Sequence, residues 1–171
     1  MNLMDKARQE LKDKFGYSSF FVSQKEILES IFAGEDVIGI LPTGGGKSLC
    51  YQIPALCHDE LVLVVSPLIS LMKDQVDKLT AKGIKAAYIN SSLKNKKKDQ
   101  ILENLKEGKY DILYVAPERF TSTQFLDILN KIDISLLAID EIHCISEWGH
   151  NFRPDYLKLA QVKEKLGNPQ L

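Results

Sequence analysis

The sequence has 171 residues, of which 44% are hydrophobic and 26% charged, and its 22 Lys and Arg residues nearly balance 23 Asp and Glu residues. This length fits one compact domain, and the ordinary composition excludes a disordered tail, a collagen-like fibre and a disulfide scaffold. The net charge of −1 excludes a uniformly basic nucleic-acid coat, so nucleic-acid binding would require a local patch.

The sequence features that report on cell compartment favour the cytoplasm. The longest apolar stretch, 61–72, is broken by Ser66 and Pro67 and is shorter than the ~20 residues of a membrane span. The first 15 residues are charged throughout and lack the apolar core of a signal peptide. The three cysteines form no CxxC pair, as expected of reduced thiols. We expect a protein of the bacterial cytoplasm or nucleoid, with no membrane partner.

Short apolar runs alternate with longer amphipathic segments along the chain. The predicted strands are 36–41, 61–66, 85–90, 111–116 and 134–140. The predicted helices are 3–15, 24–33, 47–57, 68–82, 93–107, 118–131 and 156–166. Gly34, Gly83 and Gly108 each follow a predicted helix, where a left-handed terminal residue favours glycine. The alternation predicts an α/β fold with a mostly parallel sheet flanked by helices, in which ligands bind at the carboxyl ends of the strands.

The first predicted strand leads directly into a glycine-rich loop that is followed by a helix. The candidate phosphate-binding residues are Thr43, Gly44, Gly45, Gly46, Lys47 and Ser48. Glycines let the backbone N–H groups turn toward a phosphate, and the helix N-terminus adds partial positive charge. Lys47 would reach the β- and γ-phosphates and the Ser48 hydroxyl would bind Mg²⁺. The alternative is a glycine turn beside an exposed lysine, which the strand–loop–helix context disfavours.

A pair of acidic residues follows the last predicted strand. Asp140 can hold Mg²⁺ beside a phosphate loop, and Glu141 can take a proton from an attacking water. One alternative is a solvated acidic turn. Another is a zinc site built from His143, Cys144 and His150, whose spacing matches no common zinc pattern. We predict no structural zinc.

Together, the loop PTGGGKS and the sequence DEIH resemble the DExH group of superfamily-two helicases. The general phosphate-loop pattern begins with a glycine, where this sequence has Leu41, and the loops of the DExH group lack that glycine too. Further segments narrow the resemblance to RecQ-type DNA helicases and extend it over nearly the whole chain. These segments are 15–17 with Gln24, 49–55, 66–75, 116–119 and the aromatic-rich 144–154.

The resemblance implies that residues 1–171 are the ATP-binding, RecA-like first domain of a 3′–5′ ATP-dependent DNA helicase of repair and recombination. It implies that Tyr17 stacks on adenine and Gln24 hydrogen-bonds to it. It further implies that His143 and the aromatic loop link ATP hydrolysis to bound DNA. The sequence departs from the family at Phe21, where RecQ-type proteins usually carry arginine.

The aromatic loop also suggests DNA binding from its residue types. Trp148, His150 and Phe152 alternate with polar residues and can stack on unpaired bases, while Arg153 can meet a phosphate. The alternative is that Trp148 and Phe152 pack in the core.

Four further residues lie at or just after predicted strand ends: Ser66, Ser91, Ser92 and Arg119. The resemblance suggests that they contact the backbone of single-stranded DNA. The alternative is that the serines cap helices. A cluster of lysines at 94 and 96–98 is interpreted as a solvated helix face.

The resemblance also implies parts that lie outside these 171 residues. A second RecA-like domain would supply the arginine finger, because Arg8, Arg119 and Arg153 are poorly placed for that role. A further strand would lie between strands 36–41 and 134–140, so the sheet should show a gap, a rearrangement or a neighbouring chain there. The alternatives of another class are a nonhydrolytic nucleotide or nucleic-acid binding module and, less favoured, a small-molecule kinase.

Overall fold

The computed structural model describes residues 2–145 and 153–171. Four strands form one sheet in the order β2-β3-β1-β4, and every pairing is parallel. The strands are β1 (Leu61–Val65), β2 (Ala86–Ile89), β3 (Ile112–Val115) and β4 (Ile134–Ile139). They fall within the predicted segments 61–66, 85–90, 111–116 and 134–140. The predicted α/β class with a parallel sheet flanked by helices is therefore confirmed.

The described residues form seven α-helices: α1 (Leu3–Glu10), α2 (Val22–Phe32), α3 (Leu49–Cys57), α4 (Ile69–Ala81), α5 (Asn95–Lys106), α6 (Thr123–Leu129) and α7 (Leu159–Lys165). A π-helical turn, Leu11–Phe15, extends α1 to the predicted end. The three glycines expected at helix ends all have positive φ: 81° at Gly34, 74° at Gly83 and 65° at Gly108.

Two predicted helices begin as 3-10 turns, each of which has a proline at its first position. The predicted helix 118–131 consists of the 3-10 turn Pro117–Thr121 and then α6, whose first turn is capped by the Ser122 hydroxyl accepting from the Phe125 N–H. The predicted helix 156–166 begins with the 3-10 turn Pro154–Lys158 and continues as α7. Across the described residues, no helix is long and apolar enough to cross a lipid bilayer.

The core lies on both faces of the sheet, and β1 is buried on both. Leu61, Leu63 and Val65 point to the face covered by α5, α6 and α7. Val62 and Val64 point to the face covered by α2, α3 and α4. This alternation is the side-chain period of a strand, and its burial on both faces explains why β1 reads as a continuous apolar run.

The predicted strand 36–41 is wrong. This segment is not part of the sheet, and Ile38 and Ile40 are 84% and 91% exposed. A strand needs a partner for its backbone groups, and among the described residues none lies between this segment and β4. We expected a gap, a rearrangement or a neighbouring chain between segment 36–41 and β4, and the structure shows the gap.

The beginning of the gap is filled by the last two residues of the chain. Val37 donates its N–H to the Leu171 carbonyl at 2.8 Å, and Leu137 of β4 donates to the Gln170 carbonyl at 2.8 Å. Beyond these contacts, a cleft of about 470 Å³ separates segment 37–41 from β4. The cleft opens toward the carboxyl end of β4, where the phosphate loop and the acidic box lie.

Polar contacts hold the start of segment 36–41 against α7 and the residues that follow it. The Asp36 carboxylate accepts hydrogen bonds from the Leu171 N–H and from Lys163 of α7. These contacts hold the pKa of Asp36 below its usual value of 3.8, the Lys163 hydrogen bond having the largest effect. The Gln170 amide donates to the carbonyls of Ile31 and Glu35 at 2.9 and 2.7 Å. One hydrogen-bond network therefore joins the start of segment 36–41 to residues 170 and 171.

Candidate nucleotide and nucleic-acid site

The glycine-rich loop 42–48 forms a tight turn directly before α3. Gly44 and Gly46 have φ of 78° and 71°, and the Gly45 N–H donates to the Pro42 carbonyl at 2.9 Å. A Cβ on Gly46 would lie 2.3 Å from Nε2 of Gln24, so a side chain at this position would collide with Gln24. The loop therefore leads directly into the N-terminus of α3, whose partial positive charge favours an anion, although the N–H groups of Leu49 and Cys50 themselves donate to the carbonyls of Gly46 and Lys47 at 3.1 and 3.0 Å.

Gln24 of α2 holds this loop in place by hydrogen bonds to its backbone. The side chain is only 2% exposed, its Oε1 accepts from the Phe21 N–H at 2.9 Å, and its Nε2 donates to the carbonyls of Gly46 and Gly45 at 3.1 and 3.4 Å. Its amide is thus engaged with the loop backbone, and the adenine contact stays a prediction. Tyr17, the other residue expected to meet adenine, is 57% exposed and available for stacking.

The acidic box begins where β4 ends. Asp140 still donates its N–H to the Val65 carbonyl at 2.9 Å, which continues the ladder beyond Ile139. Glu141 then turns into the left-handed region with φ of 54°, an arrangement that costs a residue with a side chain about 1–3 kcal/mol. The Asp140 carboxylate accepts from the Glu141 N–H at 3.0 Å. This turn aims the Glu141 side chain across the sheet edge toward the loop.

The structure brings Lys47, Glu141 and His143 together from distant parts of the chain. Nζ of Lys47 lies 3.4 Å from Oε1 of Glu141, although the two residues are 94 positions apart. Nδ1 of His143 lies 3.1 Å from the other oxygen of the same carboxylate. Glu141 is therefore held between the loop lysine and the histidine of the DEIH box.

Asp140 lies behind this group in a more enclosed position. Burial and the neighbouring Glu141 charge raise its pKa, while the Glu141 N–H, Lys47 and the Tyr51 hydroxyl act in the opposite direction. A buried carboxylate with a raised pKa gains from a nearby cation. Ser48 follows the glycine-rich loop and Asp140 follows β4, and each carries an oxygen of the kind that Mg²⁺ prefers as a ligand. These residues fit Mg²⁺, which keeps several waters and needs few protein ligands.

The described part of the chain leaves the zinc alternative untested. No group of three or more His, Cys, Asp and Glu side chains there is arranged to hold a metal ion. The alternative zinc site also required His150, which lies outside the described residues.

Sequence reasoning missed several polar residues that support the site from beneath. Gln52 of α3 donates to Gln75 of α4 at 2.9 Å and to the Tyr114 hydroxyl of β3 at 3.0 Å. The Tyr156 hydroxyl donates to the Asp140 carbonyl at 2.9 Å. The available signal was a glutamine inside the otherwise apolar run of residues 49–57, because a buried amide must have partners.

Four of the predicted DNA-contacting residues follow the carboxyl ends of β1, β2 and β3: Ser66, Ser91, Ser92 and Arg119. Ser66 is buried, and its hydroxyl has no hydrogen-bond partner among the described residues; the same holds for Nε of Arg119. Ser91 and Ser92 are exposed. Capping by these serines is excluded for the helices that follow them, because the N-cap residues of α4 and α5 are Leu68 and Lys94 and neither helix has a side-chain cap.

Asn90 is a further residue at this edge that the sequence did not single out. Its Oδ1 accepts from the N–H and the hydroxyl of Ser92 at 3.0 and 2.8 Å, so it orients Ser92. Its buried amide nitrogen has no partner in the described part of the chain. Asn90 and Ser66 flank Ala116 at the same level of the sheet, as the bonds from Ser66 N–H to Val115 and from Ala116 N–H to Ile89 show.

The aromatic loop lies mostly outside the described residues. Trp148, His150 and Phe152 belong to the segment 146–152, so their predicted base stacking stays a prediction. Arg153 is exposed, and its N–H donates to the Cys144 carbonyl at 2.9 Å. This bond joins the two ends of the loop directly beside the acidic box.

The lysines at 94, 96 and 97 are exposed, as expected of a solvated helix face, and Lys98 is partly exposed.

A glycine-rich loop that faces an acidic pair across the carboxyl edge of a parallel sheet is the arrangement of a P-loop nucleotide-binding domain. The family model described as DEAD/DEAH box helicase matches residues 22–170. The chain belongs to this family.

Individual relatives agree with the RecQ-type resemblance. The chain is 52% identical over 167 residues to the probable ATP-dependent DNA helicase RecS of Bacillus subtilis, covering 97% of this chain and 33% of that protein. It is 52% identical over 165 residues to the ATP-dependent DNA helicase RecQ of Bacillus subtilis, covering 96% of this chain and 28% of that protein. The chain thus spans a third or less of these relatives.

A solved structure shares the fold. The hypothetical ATP-dependent RNA helicase from Sulfolobus tokodaii superposes with a TM-score of 0.71 and 22% identity, covering 99% of this chain and 49% of that chain. At this identity the similarity shows the fold alone.

Proposed function

We propose that residues 1–171 are the first motor domain of a RecQ-type, 3′–5′ ATP-dependent DNA helicase of repair and recombination. In this proposal the domain binds ATP with Mg²⁺ and single-stranded DNA, and it works with a second RecA-like domain that a longer protein supplies. The relatives named as RecQ and RecS helicases and the family match support the helicase assignment. The finer assignments rest on the residues below.

The observation that carries the proposal is the approach of Lys47 to Glu141 at 3.4 Å. This contact brings the glycine-rich loop and the acidic residues after β4 together. Nucleotide hydrolysis requires both in one place. A simple glycine turn beside a lysine would not need a carboxylate pair opposite it.

Each residue of the site has a role that its position allows. Lys47 and the backbone N–H groups of residues 46–48 bind the phosphates, and Tyr17 stacks on the base. Ser48 and Asp140 hold Mg²⁺, which neutralises phosphate charge when bound. Glu141 accepts the proton of the attacking water, because its carboxylate lies beside the loop. His143 contacts Glu141 and connects it to the segment that precedes the aromatic loop.

DNA would bind along the carboxyl edge of the sheet. Ser66 and Arg119 present polar atoms without partners among the described residues, and Ser92 is oriented by Asn90. Such groups are suited to phosphate oxygens, which carry no sequence information. The aromatic residues Trp148, His150 and Phe152, with Arg153, would hold unpaired bases and phosphates beside the acidic box.

A second domain is required in this proposal because the arginines of the described residues are used elsewhere. Arg8 pairs with Asp5 on α1 at 2.9 Å, and Arg119 and Arg153 are assigned to DNA. The cleft between segment 37–41 and β4 supports a further strand of the longer protein, because β4 is an edge strand of the described sheet and the cleft lies beside it.

The experiment is a measurement of ATP hydrolysis by this chain with and without a single-stranded oligonucleotide. We expect little turnover and no stimulation by DNA, because the arginine finger is absent. Rapid, DNA-stimulated hydrolysis that Glu141→Gln abolishes would contradict the division of the site between two domains. DNA affinity that neither Trp148→Ala nor Arg153→Ala changes would contradict the assignment of the aromatic loop.

A further inference from the structure

Helix α2 is held at both ends by glutamine side chains that come from distant parts of the sequence. At its first turn, Nε2 of Gln24 donates to the carbonyls of residues 45–46 in the phosphate loop, at 3.4 and 3.1 Å. At its far end, Nε2 of Gln170 donates to the carbonyls of Ile31 and Glu35, at 2.9 and 2.7 Å. The helix therefore has one contact with the phosphate loop and another with the residues that follow α7.

Gln170 is itself bound to β4, the strand that ends at the acidic box. Its carbonyl accepts from the Leu137 N–H at 2.8 Å, and the two segments pair in parallel at this point. The backbone of Gln170 thus runs beside β4 while its side chain reaches α2. One residue therefore joins the strand that leads into the acidic box to the helix that holds the phosphate loop.

Helix α2 forms a stiff connection between these two contacts. It has 11 residues, which corresponds to a length of about 16 Å at 1.5 Å per residue. Leu28 is 0% exposed and belongs to the same buried cluster as Ile53 of α3. Ile31 is buried in the cluster that includes Leu136 of β4. Because close-packed side chains transmit strain, a displacement at one end of α2 reaches the other end.

The nucleotide site needs the phosphate loop and the acidic box at a fixed separation. Ser48 lies in the loop, whereas Asp140 follows β4, and no strand of the described sheet lies between segment 36–41 and β4. A Mg²⁺ ion that binds Ser48 and Asp140 together tolerates little variation in their separation, because it demands near-ideal octahedral geometry. Contacts that connect β4 to the loop by another route therefore determine how well both ligands reach the same ion.

From this geometry we propose that Gln170 is a positioning residue for the nucleotide site. It acts through α2 and Gln24 to set the position of the phosphate loop relative to Asp140. This inference rests on the proposed function, because it assumes that Ser48 and Asp140 hold Mg²⁺ with a nucleotide. It assigns a role in nucleotide binding to a side chain whose hydrogen bonds go to the far end of α2 and not to the loop itself.

The test is a titration of Mg²⁺ into the 171-residue chain with the fluorescent nucleotide N-methylanthraniloyl-ADP. Gln170→Met keeps the length of the side chain but removes its donor. We expect the Mg²⁺ concentration for half-maximal binding to rise about fivefold, the effect of one hydrogen bond. The affinity for the same nucleotide in EDTA should stay within about twofold of the unchanged chain, because the loop itself is intact. A merely structural role would weaken binding in both conditions equally.

A rescue variant and a matched control accompany this substitution. Gln170→Lys keeps a donor for the two carbonyls, so its Mg²⁺ requirement should lie within about twofold of the unchanged chain. The control is Gln100→Met on α5, where the exposed amide donates to Asn104 at 3.3 Å, and it should behave as the unchanged chain does. If Gln170→Lys required as much Mg²⁺ as Gln170→Met, the donor would not position the loop and the inference would be wrong.

A double variant tests the route through α2. Gln24→Met should also raise the Mg²⁺ requirement, because it releases the phosphate loop from α2. Once the loop is released, adding Gln170→Met should change the requirement by less than about twofold. Two effects that simply multiply in the double variant would show that Gln170 does not act through α2, and would overturn the inference.

The possible results separate this inference from the proposed function. If the unchanged chain binds the nucleotide with Mg²⁺ and Gln170→Met shows the same Mg²⁺ dependence, the inference is wrong and the proposed function stands. Equal losses with Mg²⁺ and in EDTA would also overturn the inference. If the unchanged chain shows no Mg²⁺-dependent binding that Lys47→Ala abolishes, the nucleotide site itself is wrong, and the inference is wrong with it.

Discussion

Nζ of Lys47 lies 3.4 Å from Oε1 of Glu141, which places the lysine of the phosphate loop against the second carboxylate of the DEIH box. The two side chains are 40% and 24% exposed, so solvent screens their attraction. A half-exposed ion pair of this kind contributes about 0–1 kcal/mol. A nucleotide phosphate is a second anion that competes with Glu141 for the same ammonium group.

This competition predicts that Glu141→Gln increases nucleotide affinity. The substitution keeps the shape of the side chain but removes the charge that competes for Lys47, and 0–1 kcal/mol corresponds to about a one- to fivefold gain in affinity. Isothermal titration with ADP and Mg²⁺ measures the change. Glu118→Gln, in the 3-10 turn after β3, is the control and should have no effect. Weaker binding by Glu141→Gln would mean that the carboxylate helps to hold the nucleotide.

The exposure of segment 36–41 predicts that its isoleucines add little to stability. Ile40→Ala should change the free energy of unfolding by less than about 0.5 kcal/mol, because Ile40 is 91% exposed. The same substitution at Ile53, which is 0% exposed on α3, should cost about 2–5 kcal/mol. Urea unfolding of both variants measures the two values. Equal losses would show that segment 36–41 is a buried strand in this chain.

The contacts of Asp36 predict a pH-dependent difference between the chain and Asp36→Asn. Because Lys163 and the Leu171 N–H lower the pKa of Asp36 below 3.8, its carboxylate stabilises the folded chain above pH 3.8. This contribution is lost as the pH falls through the lowered pKa. We therefore expect Asp36→Asn to unfold at lower urea concentration than the unchanged chain at neutral pH.

The difference in urea midpoint should shrink as the pH falls below 3.8 and the Asp36 carboxyl becomes protonated. Asp99→Asn, on the exposed surface of α5, is the control and should follow the unchanged chain throughout. If the difference in urea midpoint were the same at the lowest pH, the shape of the Asp36 side chain, and not its charge, would stabilise the folded chain.

Arg119 should contribute to DNA binding through its charge. Arg119→Ala should weaken binding of a fluorescent single-stranded oligonucleotide and reduce the slope of log affinity against log salt by about 0.7, the value for one phosphate contact on a single strand. Arg8→Ala is the matched control, because Arg8 pairs with Asp5 on α1 and is far along the chain from the predicted DNA edge. Equal salt slopes for the two variants would contradict the assignment of Arg119.

Much of the fold could be predicted from the sequence because hydrophobic periodicity reports directly on burial. β1 to β4 are short apolar runs with partners on at least one side, and each was found within the predicted segments. Segment 36–41 has the same apolar character, yet it is outside the sheet. A strand is defined by its neighbour as well as by its own residues, and periodicity contains no information about whether a neighbour is present.

The site could be predicted where the chemistry is local. The glycines at 44 and 46 have the positive φ that their loop requires, and Lys47 meets Glu141 as the two motifs suggested. The contacts of Gln52 with Tyr114 and Gln75 could not be predicted, because they join α3, β3 and α4 through side chains far apart in sequence. Gln24 shows the same limit: the sequence does not reveal that its side chain binds the backbone of the phosphate loop, and the adenine contact that the resemblance implies stays a prediction.

The most direct test of a nucleotide site at this sheet edge is the binding of N-methylanthraniloyl-ATP to the 171-residue chain, followed by fluorescence anisotropy. The account predicts measurable binding with Mg²⁺ that Lys47→Ala weakens about tenfold or more, because the variant removes a charged hydrogen-bond donor to the phosphates. Lys106→Ala, on α5 and paired with Glu103, should bind as the unchanged chain does. Binding that Lys47→Ala leaves intact, or no binding by the unchanged chain, would contradict the account.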